Sequence, residues 1–169
     1  MSENRLLFLD KAPPNTQIRV GVGALVIDKS SNSVLLEKRA DCGLWGCPGG
    51  RIEAGENISS TAIREVKEET YLDCKFDKLV AVLNERVMEN GEIKHAFNIF
   101  FCKVIAENKE VNCSDEGELK WFSLKKLPSN IIPSDKLMIK ELMHKKFCFK
   151  EIVIEEKDAE LIKMRVEDE

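Results

Sequence analysis

Two periodicities divide the chain. Runs of apolar, β-branched residues, alternating or continuous, predict strands at residues 18–28 (IRVGVGALVID), 34–39 (VLLEKR), 73–86, 93–106 and 119–124. A helical spacing of Ala62, Ile63 and Val66 predicts a helix from Ile58 to about Thr70, with Asn57 as its N-cap. The polar stretch 29–33 (KSSNS) turns the first two strands into a hairpin, and Asn90-Gly91 does the same for the two long later runs. Pro133-Ser134-Asp135 opens a second helix over 136–146, with Met138, Leu142 and Met143 toward the body and His144 at the surface. Residues 147–156 and 161–167 form a further hairpin around 156–159, with a helical second half as the alternative.

Between these elements the pattern breaks. Residues 1–16 are a lead-in whose Pro13-Pro14 stops any helix begun by LLFLD. Gly21 and Gly23 lie on one face of the first strand, where missing side chains let another element approach. Residues 40–50 (ADCGLWGCPGG) read as a loop: Pro48 sets the backbone entering Gly49-Gly50, where no side chain stands over the main chain. Trp45 in that loop either packs on its own scaffold, the commoner outcome, or stacks on a base. The run HAFNIFFCKV is apolar on both faces, as in an interior strand, and its His95 reads as packed or hydrogen-bonded.

The chemistry is concentrated on the first helix. Glu65, Glu68 and Glu69 stand at i, i+3 and i+4, so three carboxylates project from one side, next to the apolar stripe. Like charges so close destabilise a helix unless a cation sits among them, and a hard divalent ion such as Mg²⁺ or Mn²⁺ prefers oxygen ligands. An acidic helix face is ordinarily just solvated. Its surroundings change the reading.

Gly50, five residues, Glu56, seven residues, then Arg64-Glu65-Val66-Lys67-Glu68-Glu69 and Leu72 resemble the Nudix box, G-x5-E-x7-R-E-U-x-E-E-x-G-U, with U aliphatic. The match spans twenty-three residues and departs once, with Tyr71 where the box has glycine. A glycine there would end the helix in the left-handed region without penalty, so Tyr71 implies a different exit or a strained residue, with metal binding kept. The resemblance extends to the aromatic and Pro48-Gly49-Gly50 ahead of the box. It implies an α+β fold, an α/β/α sandwich around a central mixed sheet, with Mg²⁺ as cofactor and Mn²⁺ able to substitute. Glu65, Glu68, Glu69 and the Gly50 carbonyl would be metal ligands, Glu65, Glu68 and Glu118 the catalytic acids, and Glu116 the second choice for the base. Arg64 and Glu56, a fork facing a carboxylate, would support the site together with Gly49. Arg39 and Trp45 are candidates for contact with substrate.

The implied reaction is hydrolysis of a nucleoside diphosphate linked to a group X. There is no proline at Val87 or Met88 as in ADP-ribose hydrolases, and no tyrosine after the box as in enzymes of dinucleoside polyphosphates. The coenzyme A and NADH signatures are also missing. By exclusion the substrate is a nucleoside or deoxynucleoside triphosphate, with a nucleotide sugar as the alternative and a catalytically weak nucleotide sensor as an alternative of another class. Composition narrows the partners. At 169 residues the chain suits one domain, with a core over about 17–146 and an extension over 147–169 that covers a sheet edge or makes a homodimer contact. A net charge of −4 argues against an electrostatic grip on nucleic acid. No signal peptide or membrane span is read, so a cytoplasmic protein is expected, and the six cysteines, without C-x-x-C spacing, read mostly as reduced core residues.

Overall fold

A computed structural model describes residues 17–111, 117–144, 146–157 and 160–167. These fall into two compact units, the larger from Gly21–Ala81 and Phe100–Cys148, the smaller from the described residues up to Val20, Val82–Ile99 and those from Phe149 onward. The class is the expected α+β with a mixed sheet: Ile27 pairs antiparallel with Val34, for example, whereas Trp45 and Ile131 form a parallel bridge.

The larger unit holds β1 (Ile18–Asp28) from Gly21 on, β2 (Ser33–Arg39), β3 (Trp45–Gly46), β4 (Gly49–Arg51), α1 (Ile58–Thr70), β7 (Gly117–Ser123) and α2 (Pro133–His144). Parts of β5 (Cys74–Glu89) and β6 (Glu92–Ala106) complete it, in the order β3-β2-β1-β6-β5, with β4 paired to β1 and β7 to β2. Its core is Val22, Ala24, Val26 and Leu35 from the sheet against Ala62 and Val66 of α1, with Leu72, Cys102 and Val104. Burying a side chain of this kind contributes roughly 1.5–3 kcal/mol. The two glycines of β1 are met at close range. A Cβ on Gly21 would stand 2.7 Å from the Gly50 carbonyl oxygen, and one on Gly23 2.6 Å from the Phe101 ring.

In α1 the expected boundaries hold. Asn57 is the N-cap, its side chain accepting from the Ser60 N–H while Ser60 answers with its hydroxyl, a reciprocal capping box. The helix ends with Tyr71 in the left-handed region at φ 60°, so the strained exit is the one adopted. Lys67 holds that exit, donating to the Tyr71 carbonyl at 3.1 Å and to Asp73 at 2.7 Å.

Other expectations are corrected. Residues 40–50 are not all loop, because β3 and β4 lie within them. Glycines in them let the backbone pair closely with β2 and β1, at Glu37–Gly46 and Val22–Gly50. The second helix starts at Pro133 rather than 136, since proline suits a first helical position and the Lys136 N–H already bonds the Ile132 carbonyl at 2.9 Å. Met143 is exposed and Ile139 buried in its place, because the buried stripe is Met138, Leu142 and Ile139 and Met143 lies about 40° beyond its edge at Ile139. Among the described cysteines only Cys102 is fully buried; Cys47, Cys74 and Cys148 are half-buried and Cys42 is exposed, while Cys113 lies outside the described residues.

The smaller unit orders β6-β5-β8-β9, with β8 (Cys148–Lys157) and β9 (Glu160–Glu167) antiparallel, Ile152 opposite Val166 and Ile154 opposite Met164. The tail is therefore the hairpin, not the helical alternative. Asn90 and Gly91, at φ 53° and 82°, make the tight turn between β5 and β6. Met88, Ile93 and Val153 form the core here, Asn84 bonds Asn98 at 2.7 Å, and the Arg19 guanidinium lies 5.8 Å from the Phe97 ring. His95 packs beside that ring at 6.0 Å. Among the described residues no helix is long and apolar enough to cross a membrane.

Candidate active site

Four consecutive residues connect the sheet to the acidic helix. The Cys47 N–H donates to the Asp135 carboxylate at 2.7 Å, and the Pro48 carbonyl accepts the Ala24 N–H at 2.7 Å. The Gly49 N–H then donates to Glu69 Oε2 at 2.8 Å. A Cβ on Gly49 would stand 2.1 Å from the Val22 carbonyl oxygen, and one on Gly50 2.5–2.6 Å from the Glu65 carboxylate. A side chain at Gly49 would collide with backbone, and one at Gly50 would displace the Glu65 carboxylate. The predicted absence of side chains thus seats two of the three helix acids directly on a strand's backbone.

Arg64 organises the third side of the site. Its Nε and Nη2 fork onto Glu56 at 2.7 and 2.9 Å, as expected from the sequence, and Nη2 also reaches the Arg51 carbonyl at 3.2 Å. Nη1 donates to Glu65 and Glu68, both at 2.9 Å. Thr61, which the sequence reading passed over, adds a hydroxyl to Glu56 at 3.0 Å. The fork holds the Glu56 carboxyl down at about 2. Burial pushes Glu65 the other way, above the usual carboxylate range, with Arg64 only partly opposing it. Glu68 is the most exposed of the acids.

Among the described residues no three His, Cys, Asp or Glu side chains are arranged as a finished metal cage. Arg64 holds the ground between the acids. The donor set nevertheless fits a hard divalent ion: two carboxylates close enough to share one nitrogen, a third held by a backbone N–H, and bare backbone at Gly50. Such an ion is commonly bound by one or two carboxylates, with water and phosphate supplying the rest. One guanidinium facing Glu56, Glu65 and Glu68 leaves negative charge for it to neutralise.

The remaining described candidates lie on β2, β3 and β7. Glu118 pairs with Lys38 on β2, while its neighbours Leu119 and Trp121 pack toward the core of α1. Strand alternation therefore turns the exposed Glu118 to the face of β7 opposite Leu119 and Trp121. Glu116 lies outside the described residues. Trp45 is buried, edge-on to Phe122 at 4.8 Å, with its backbone held by Asn130 and Ile132, so the packing alternative describes its position. Arg39 is exposed and forked onto Asp41 at 3.0 and 3.1 Å. Asp135 was legible only as a helix-start residue; its bond to Cys47, across 88 positions, leaves no local signal.

The NUDIX domain family model matches residues 17–142. A Bacillus subtilis (strain 168) protein named "Putative 8-oxo-dGTP diphosphatase" is 30% identical over 120 residues, covering 70% of this chain and 77% of that one. Nudix hydrolase 6 of Arabidopsis thaliana is 35% identical over 120 residues, 66% of this chain but only 41% of the plant protein, so the chain spans less than half of that relative. Among solved structures, the MutT protein of Bacillus halodurans aligns with a TM-score of 0.70 at 26% identity, over 89% of this chain and 98% of that one. With the box residues gathered on α1 and its glycine turn, and the match running from β1 through α2, the chain belongs to the Nudix family, MutT-like hydrolases that act on pyrophosphate bonds.

Proposed function

We propose that this chain hydrolyses a nucleoside or deoxynucleoside triphosphate to the monophosphate and pyrophosphate, with Mg²⁺ as the metal and Mn²⁺ able to replace it. The observation that carries the reading is the seating of Glu65 on Gly50, with Glu65 and Glu68 sharing one nitrogen of Arg64. The triphosphate is favoured over a nucleotide sugar by the name of the Bacillus subtilis relative, which matches most of both chains.

A divalent ion bound here supplies charge neutralisation on the diphosphate and lowers the pKa of an attacking water. The chain's own residues do the rest. Glu69, held by the Gly49 N–H, keeps the glycine turn against α1. Arg64 orients Glu65 and Glu68 and ties the loop through Glu56. Glu65, the acid seated against Gly50, takes the water's proton; Glu118, on the other face of β7, is the weaker candidate.

Turnover with Mg²⁺ against triphosphates, nucleotide sugars and dinucleoside polyphosphates tests this. Pyrophosphate from a triphosphate, lost by roughly a hundredfold or more in Glu68→Gln, is the expected result. Sugar phosphate release instead would replace the triphosphate by the nucleotide sugar. Binding without turnover of any of them would make the chain a sensor.

A further inference from the structure

The glycine turn of the proposed site is anchored at its far end by a residue that lies outside the box. β3 stops at Gly46 and β4 begins at Gly49, so the Cys47 N–H falls in the gap between two strand fragments and needs an acceptor from elsewhere. Asp135 supplies it at 2.7 Å, the length of a charge-assisted bond. The carboxylate stands in the first turn of α2, is itself buried, and lies so close to Gly46 that a Cβ there would meet its Oδ2 at 3.0 Å. The helix N-terminus favours a negative charge at this position. The Trp45 N–H donates to the Asn130 carbonyl at 2.9 Å and the Ile132 N–H to the Trp45 carbonyl at 2.8 Å, which brings the same two segments side by side. Of the next three residues, Pro48 bonds β1, Gly49 bonds Glu69, and Gly50 pairs with Val22 of β1 with the Glu65 carboxylate beside its bare Cα.

We propose that Asp135 is a positioning residue for this site: by holding the Cys47 N–H it sets the path of Pro48-Gly49-Gly50, on which Glu69 and Glu65 are seated. The inference deepens the metal-site reading and rests on it. Asp135 acts through the backbone, two and three residues before the glycines it controls. An acceptor oxygen is what the position requires, so an amide can serve and an aliphatic side chain cannot.

The test compares Asp135→Leu and Asp135→Asn with the unaltered chain in three measurements: hydrogen exchange of the Cys47 and Gly49 amides, Mn²⁺ affinity by electron paramagnetic resonance without nucleotide, and kcat and KM where turnover is found. Asp135→Leu is expected to lose protection at both amides and about 10–100-fold in Mn²⁺ affinity, the usual cost of removing a residue that supports metal ligands. The loss should fall on kcat rather than KM. Asp135→Asn should stay within about threefold of the unaltered chain, because its amide oxygen still accepts the Cys47 N–H. A folded Asp135→Leu chain with unchanged Gly49 protection and Mn²⁺ affinity overturns the proposal, as does an Asp135→Asn chain that falls equally far. Should Asp135→Leu not fold, the unaltered chain decides: the proposal requires Cys47 and Gly49 to open together, and a Gly49 amide exchanging far more slowly than Cys47 sinks it. The exchange measurements need no catalysis, so an inactive chain would overturn the functional reading without touching this one.

Discussion

Arg64 is shared among three carboxylates by geometry rather than by charge alone. Its Nε and Nη2 form a two-pronged bond with Glu56 while Nη1 serves Glu65 and Glu68. A lysine carries the same charge on one compact head and cannot reproduce that fork. Arg64→Lys is expected to keep the fold and lose about 10–100-fold in turnover, measured beside the thermal midpoint to separate the two effects. The pH dependence of the Glu56–Arg64 pair follows from its sign. Glu56 titrates at about 2 in the folded chain, below the unfolded value. Its contribution to stability is therefore fully present above the ordinary glutamate value of about 4.3 and is lost as pH falls below it. Thermal midpoints recorded between pH 6 and 2 should show Glu56→Gln with a shallower acid decline than the unaltered chain. Parallel curves would mean that the pair does not contribute.

At the scale of elements, α1 has a well-made start and a costly finish. The reciprocal cap between Asn57 and Ser60 satisfies donors that the first turn leaves open. Asn57→Ala is expected to cost about 1 kcal/mol in urea unfolding, with the slope unchanged. The finish differs because Tyr71 holds a left-handed conformation with its side chain more than half exposed. Little packing is lost on removing that ring, and the backbone penalty is relieved, so Tyr71→Gly should raise stability by up to about 1 kcal/mol. A decrease in the same urea measurement would show that the ring contributes more than its exposure suggests. The element most exposed to truncation is β9. It covers the edge of β8, whose Ile152, Val153 and Ile154 are buried. A chain ending at Lys157 leaves that edge unpaired, and a lower thermal midpoint with concentration-dependent aggregation is expected by light scattering.

Across the whole molecule, sequence legibility followed the range of the interaction. The bounds of α1 were legible because Asn57, Ala62, Val66 and the three acids all lie within its own turns, although Ile63, expected on the apolar side, is exposed. The hairpin at Asn90-Gly91 was equally plain, since its turn chemistry is local. β3 and β4 were not, being too short for any periodicity and existing only because β2 and β1 lend them partners. Glu118 shows a related limit: a position near a strand's start does not reveal its face, which the register with Lys38 decides.

The order of residues alone thus determined the acidic ridge, the bare glycines and the strand–helix alternation, because backbone preference and i, i+4 spacing act between near neighbours. Only the tertiary structure decided that Gly49 meets Glu69, that Glu65 lies over Gly50, and that Asp135 reaches Cys47. Those contacts join segments 15 to 88 positions apart. Which distant groups meet is chosen by the packing of the whole core, and no local pattern encodes it.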